Sequence, residues 1–326
     1  MKPMTILTLL SLWPALFGYE IKMCVVDDTG APVEGANVAI EFLAPRQENS
    51  VAHHGTTGPD GKFAAQGRSL IEVYMEANKK GHYEARVNGL SPKKDHDQRI
   101  VLPRVINPVP LFALQVGVFI PAQNEWLGFD FEAADWVAPH GKGKVADIRF
   151  RFRNEFQGWK DNVKDLDEEI AFSKRSFAAR KEEWTLEKFK IVAGKWDGEL
   201  EISFPGENEG LFEETRFLAY SQMRLPHAAP AQGYVQTWRY TSKSYSPPTT
   251  RENVGFFLRT RVRLDHDGKI VSANYAKIMG DIYCTATGIL RFTYYFNPTP
   301  NDRNLEFDPK RNLFPSDLPG ANVFEP

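Results

Sequence analysis

Cysteine is almost missing from this chain: Cys24 and Cys284 are the only two in 326 residues. So sparse a set excludes a disulfide-stapled scaffold and a cysteine-built zinc centre. It leaves two readings of the pair: a bridge tying the first strand to a late one, or two separate thiols. Net charge is also missing, with 40 basic against 42 acidic residues and a formal charge of -2. Such a balance gives no footprint for nucleic acid or for an anionic membrane surface. Beyond the first 17 residues no run is long and apolar enough to cross a bilayer as a helix. Catalytic signatures are missing too. The seven histidines, His53, His54, His82, His96, His140, His227 and His266, form no H-E-x-x-H arrangement. There is no G-x-S-x-G elbow, no phosphate-binding glycine loop and no dinucleotide fingerprint. The sequence therefore gives no reason to expect a cofactor or a metal.

Aromatic residues are what the chain has in abundance, with 23 Phe, 11 Tyr and 7 Trp. They favour strands and fill sheet cores, so an all-β fold is expected. The length suits two domains. The N-terminus reads as a secretory signal over residues 1–18. Lys2 supplies the positive start, Thr5 to Phe17 the apolar stretch and Gly18 a small residue at the cleavage point. The alternatives are an uncleaved anchor or a buried first strand. Cleavage would start the mature chain near Tyr19, in the periplasm, on the cell surface or outside the cell. Ile21-Lys22-Met23 before Cys24 lacks the small residues of a lipoprotein signal, so no lipid anchor is expected.

Residues 19–105 have the rhythm of about seven short strands, the pattern of a β-sandwich. Ile21, Met23 and Val25 alternate, as do Val38, Ile40 and Phe42. Pro59-Asp60-Gly61 marks a hairpin. Asn107-Pro108-Val109-Pro110 reads as a stiff linker at residues 106–110, and a larger β-rich domain would fill 111–326. Within it, Val163, Leu166, Ile170, Phe177 and Trp184 recur at helical spacing behind Asp161, an N-cap type. One amphipathic helix over 161–183 is expected, packed on a sheet or inserted for a partner. Strands are expected to resume at Phe189 to Val192. Asp265-His266-Asp267-Gly268 reads as a hairpin turn rather than a calcium loop, because the downstream bidentate glutamate is missing.

Three strings in the first domain carry a resemblance. Val26-Asp27-Asp28-Thr29-Gly30-Ala31-Pro32-Val33-Glu34-Gly35-Ala36-Asn37-Val38 resembles the opening of carboxypeptidase-regulatory-like domains. Thr57-Gly58-Pro59-Asp60-Gly61-Lys62-Phe63 is similar to their central hairpin, and Lys79-Lys80-Gly81-His82-Tyr83 to a strand end. The resemblance implies a transthyretin-like, carbohydrate-binding-like sandwich used as an accessory module, and no catalytic zinc site. In the second domain, Gly128-Phe129-Asp130-Phe131 and the run Asp135 to Gly143 resemble strings of exported bacterial proteins of unassigned function.

One cluster stands out as a ligand-site candidate. Asp135, Trp136 and His140 precede the glycine-rich turn Gly141-Lys142-Gly143. An aromatic face can stack on the apolar face of a sugar while polar neighbours orient it. The expectation is an exported, non-enzymatic binding or structural protein, with a glycan or an envelope protein as partner. The alternatives are a glycan-directed hydrolase using two carboxylates of the second domain, and a subunit of a cell-surface assembly.

Overall fold

The computed structural model describes residues 18–91, 94–216, 218–247, 251 and 253–326. The expected signal therefore lies outside the described residues, apart from Gly18. Strands take 45% of the chain and helices 9%, so the fold is all-β. No described helix is long and apolar enough to cross a membrane. The chain divides into two compact units. Unit 1 runs to Asn107 and takes in Leu218–Arg224; unit 2 is Pro108–Phe217 with Leu225–Glu325.

Unit 1 is a seven-stranded sandwich. Its strands are β1 (Tyr19–Val26), β2 (Asn37–Phe42), β3 (Val51–Thr56), β4 (Lys62–Gly67), β5 (Val73–Asn78), β6 (Ala85–Leu90) and β7 (His96–Val101). One sheet has the order β4-β1-β7 and the other β3-β2-β5-β6. Period-two alternation sends one side of each strand inward. Ile21, Met23 and Val25 of β1 meet Val38, Ile40 and Phe42 of β2 and Val73, Met75 and Ala77 of β5 in one core. Burying each large side chain contributes about 1.5–3 kcal/mol. Two turn residues hold the strands in place. Thr57 is buried and donates from Oγ1 to Val33 O at 2.5 Å, while its Oγ1 accepts from Ala36 N at 2.9 Å. Gly61 sits at φ +73°, where a Cβ would stand 2.3 Å from Val25 O. The segment 218–224 lies along the free side of β6: Arg86 N donates to Tyr220 O and Gln222 N to Glu84 O.

Unit 2 is a larger sandwich. Its first sheet has the order β10-β9-β11-β12-β14, from β9 (Leu127–Asp130), β10 (Asp135–Trp136), β11 (Ile148–Trp159), β12 (Gly194–Ser203) and β14 (Thr237–Lys243). Its second has the order β13-β15-β16-β17-β8, from β8 (Phe112–Phe119), β13 (Gly210–Glu214), β15 (Gly255–Leu264), β16 (Ile270–Cys284) and β17 (Ile289–Asn297). Phe129, Phe150, Phe152, Leu200 and Ile202 of the first sheet pack on Phe256, Ile278, Phe292 and Tyr294 of the second. The second sheet is buried on its other face as well. There Phe257, Tyr275 and Tyr295 lie under Leu225, Ala229, Leu305 and Phe307, which come from long loops and the tail.

The structure corrects three local expectations. The helical stretch is two helices rather than one: α1 (Leu166–Ala179) and α2 (Leu186–Ala193). Asp165, not Asp161, caps α1 by accepting from Glu168 N; Asp161 instead pairs with Lys195 at 2.5 Å. The expected strand at Phe189 to Val192 is α2, because Thr185 accepts from Lys188 N and nucleates a turn. Only Phe189 of these two helices is buried, against Trp159 and Trp184. Strand β16 is the longest of those named, at 15 residues. It bulges around Gly280, whose φ of +79° absorbs the break in register.

Candidate functional site

The structure separates the three residues singled out from the sequence. Trp136 is 6% exposed and meets Phe129 and Phe150 edge to face, at 5.5 and 5.9 Å between centroids. Its ring has no free face for a sugar, because the inward position of β10 points it into the sandwich. Asp135 closes the turn: one oxygen accepts from Trp136 N at 2.8 Å and the other from Lys142 N at 2.9 Å. His140 lies on the surface, with Nε2 3.8 Å from Glu125 Oε1. The two cysteines are free rather than bridged. Cys24 belongs to β1 of unit 1, whereas Cys284 is buried in the core of unit 2, where burial pushes its thiol up to about 12.

A second polar cluster lies beneath a bulge in β15. Arg261 sits at φ +53° where the register between β15 and β16 shifts. Its guanidinium grips Asp147 twice, at 2.7 and 2.9 Å, and also reaches Glu132. Asp147 further accepts from Phe131 N and from Thr260 Oγ1. Burial pushes the Asp147 carboxyl up, and Arg261 opposes that. Glu209 is likewise raised by burial, although it accepts from Val262 N and Gly206 N. Nearby, burial also raises Asp130, but four backbone N–H donors outweigh it and hold that carboxyl below its usual range. These acids are committed to holding loops and the bulge. Among the described residues, no group of three or more His, Cys, Asp or Glu is placed to hold a metal ion.

The open polar surface of unit 2 is the outer face of its first sheet. Inward residues of β11, β12 and β14 go to the core, so the alternate residues face solvent. Pairing sets Arg151 opposite Glu201, Arg153 opposite Glu199 and Glu201 opposite Arg239. The pairs close into a ladder. Arg151 Nε donates to Glu201 Oε2 at 2.6 Å, Arg239 Nη2 to Glu201 Oε1 at 2.7 Å, and Arg153 Nη2 to Glu199 Oε1 at 2.8 Å. The Arg151 guanidinium, with Arg239, holds the Glu201 carboxyl below the usual range. Trp126 stands over this ladder. It is 40% exposed, and Arg151 Cζ lies 4.7 Å from its ring centroid, a cation–π contact that fixes the indole. Trp126, Trp238 and the Arg151–Glu201–Arg239 group line a cavity of about 250 Å³.

The next rungs of the same face line a larger polar trough of about 700 Å³. Asn124, Glu155, Asp197 and Lys243 point into it. Glu155 and Asp197 are directly opposed across β11 and β12. Asp197 accepts from Tyr245 Oη at 2.7 Å, while Glu155 has no partner among the described residues. Face and trough together offer one anchored aromatic plane and a row of planar hydrogen-bonding groups. Sequence reasoning passed over Trp126, which lies in a loop. The signal was there in the strands: Arg151 and Arg153, two apart on β11, oppose Glu201 and Glu199, two apart on β12.

The chain was compared with protein families, curated proteins and solved structures. No family model matches it, and no curated protein matches it. Several solved structures align with it at low overlap. A Streptococcal ancillary pilin aligns over 44% of this chain and 56% of its own, at 11% identity and a TM-score of 0.20. The chain therefore spans little more than half the length of that pilin. A Bacteroides uniformis protein provisionally described as carbohydrate-binding aligns over 87% of this chain and 99% of its own, at 7% identity and a TM-score of 0.21. A Bacteroides fragilis protein of unknown function, provisionally described as membrane-associated, aligns over 86% and 98%, at 12% identity and a TM-score of 0.20.

Proposed function

We propose that this chain is an exported, non-enzymatic binding protein whose ligand site is the outer face of β11, β12 and β14, and that the ligand is a carbohydrate. The observation that carries the reading is Trp126. An exposed indole pinned by Arg151 offers a rigid plane for the apolar face of a sugar ring. Asn124, Glu155 and Asp197 alongside suit hydroxyl groups, which need donors and acceptors together. A binding role is favoured over a glycan hydrolase by where the shifted acids sit. A hydrolase needs a carboxyl held protonated beside the scissile bond. Among the described residues, Asp147 and Glu209 are the carboxyls that burial holds above their ordinary value on balance, and both are tied up beneath the β15 bulge. Unit 1 fits the role of a carboxypeptidase-regulatory-like accessory module, on the strength of its three sequence strings and its seven strands. Export rests on the signal-like first 18 residues.

The test is a glycan-array screen of the full chain beside Trp126→Ala. Saturable binding that falls about tenfold or more in the variant, at unchanged circular dichroism, is the expected result. Binding indifferent to Trp126→Ala would move the site elsewhere, and an empty array would overturn the carbohydrate reading.

A further inference from the structure

The second sheet of unit 2 ends at β8, and only part of that edge is covered. Alternate residues of β8 turn their N–H and C=O groups away from β17, namely Ala113, Gln115, Gly117 and Phe119. The chain's own tail meets the first two. Ala113 N donates to Asn312 Oδ1 at 3.1 Å, and Asn312 Nδ2 donates to Ala113 O at 2.9 Å. Gln115 N donates to Gly320 O at 2.9 Å. The cover stops there. The outward groups of Gly117 and Phe119 have no hydrogen-bond partner among the described residues. Folded proteins usually blunt such an edge with charge, proline or a covering segment, because it is a template for another strand. Here the blunting is half complete, and Phe119 is 63% exposed.

Three further features surround the open half. A cavity of about 740 Å³ lies beside it and reaches the core side chains Val116, Phe129 and Phe292. Gly117 lines this cavity, with open space where a Cβ would stand, so another backbone can approach closely. Arg291 is paired across from Gly117 on β17, lines the same cavity and has no acidic partner among the described residues.

We propose that the open half of β8 is a strand-addition site for an extended segment of a partner protein in which apolar and acidic residues alternate. The incoming backbone completes the ladder at Gly117 and Phe119, in line with the bonds the tail already makes at Ala113 and Gln115. Side chains of a strand point to opposite faces in turn. One set therefore enters the cavity above Val116 and Phe129, and the other lies over Arg291. A carboxylate there gains a charge-assisted hydrogen bond. This surface is separate from the Trp126 face, so its fate does not depend on the carbohydrate reading.

The experiment uses the full chain and two fluorescein-labelled peptides, one alternating valine with glutamate and one alternating valine with lysine. Anisotropy is expected to show saturable binding of the glutamate peptide alone. Gly117→Pro removes an outward N–H without touching the β17 ladder, and should weaken binding about tenfold. Arg291→Glu, which leaves the edge backbone intact, should transfer the preference to the lysine peptide. In hydrogen exchange, the amides of Gly117 and Phe119 should exchange fast in the free chain and slow on binding, while Val116 and Val118 stay protected throughout. No saturation by either peptide, or binding that ignores both substitutions, would overturn the proposal. So would a concentration-dependent dimer, in sedimentation without peptide, that Gly117→Pro abolishes, since the occupant would then be a second copy of this chain.

Discussion

Lys277→Met measures what a buried amine costs this fold. Lys277 lies on β16 between Phe257 and Tyr295 of the neighbouring strands, at 0% exposure. Its Nζ has no hydrogen-bond partner and sits 4.6 Å from the centroid of the Tyr295 ring. Burial pushes its pKa down to about 7 from an ordinary 10.5, against the pull of Glu306 and Glu325. Above the ordinary value the amine is neutral in folded and unfolded chains alike, and pH has no hold on it. As pH falls, the unfolded chain takes up the proton first, while the folded chain resists until about 7. Stability is therefore shed between those two values at about 1.4 kcal/mol per pH unit, and is flat with respect to this group below them. The full window amounts to about 4–5 kcal/mol. Methionine has the same reach without the proton, so the variant should be more stable at neutral pH and lose this slope. Urea unfolding at about pH 7.5 and about pH 9.5 reads the difference, about 2–3 kcal/mol gained by the wild type and little by the variant. Six of the seven tryptophans, Trp126, Trp136, Trp159, Trp184, Trp196 and Trp238, belong to unit 2, so tryptophan fluorescence mainly follows that unit. Parallel pH dependences in the two proteins would refute the reasoning.

Asp147→Asn weakens the two hydrogen bonds to Arg261 and leaves Glu132 and Asp130 as its acidic partners, and should cost unit 2 about 1.5–3 kcal/mol by the same fluorescence assay. Gly61→Ala places a Cβ against Val25 O at a left-handed backbone position, and should destabilise unit 1 by about 2–3 kcal/mol, seen as a lower calorimetric midpoint for that unit. A thiol reagent should titrate two thiols in denaturant, while in the native state Cys284 reacts far more slowly than an exposed thiol, being buried and held protonated at neutral pH.

Unit 1 was legible almost strand by strand, because each of its sheets packs one face on a single core. Ile21-x-Met23-x-Val25 and Val38-x-Ile40-x-Phe42 declare that face directly. The turn signals were equally local, since Gly61 and the Asp265 hairpin answer to backbone sterics over a few residues. The helical region was read less well. Phe189-Lys190-Ile191-Val192 has strand composition, but the Thr185 cap and the packing of Phe189 on Trp159 and Trp184 place it in a helix. The candidate site went astray for a related reason. Trp136 and Trp126 are the same residue type in neighbouring loop-rich stretches, and nothing local says which turns inward. The neighbours decide: Phe129 and Phe150 receive the first, and Arg151 supports the second at the surface.

By itself, then, the sequence determined that the chain is all-β, where most strands alternate, which turns close them, and that nucleotide and cysteine-zinc motifs are missing. These follow from local sterics and from period-two patterning, which a strand carries in its own residues. Tertiary structure alone decided which faces and edges stay available. Both sheets of unit 2 have two faces, yet Leu305, Phe307 and the 225–229 loop fold over one outer face and leave the Arg–Glu ladder of the other open. The tail's hydrogen bonds to β8 reach Gln115 and go no farther among the described residues. Coverage of this kind depends on segments up to about 200 positions away, such as Asn312 against Ala113, and strand patterning carries no record of contacts at that range.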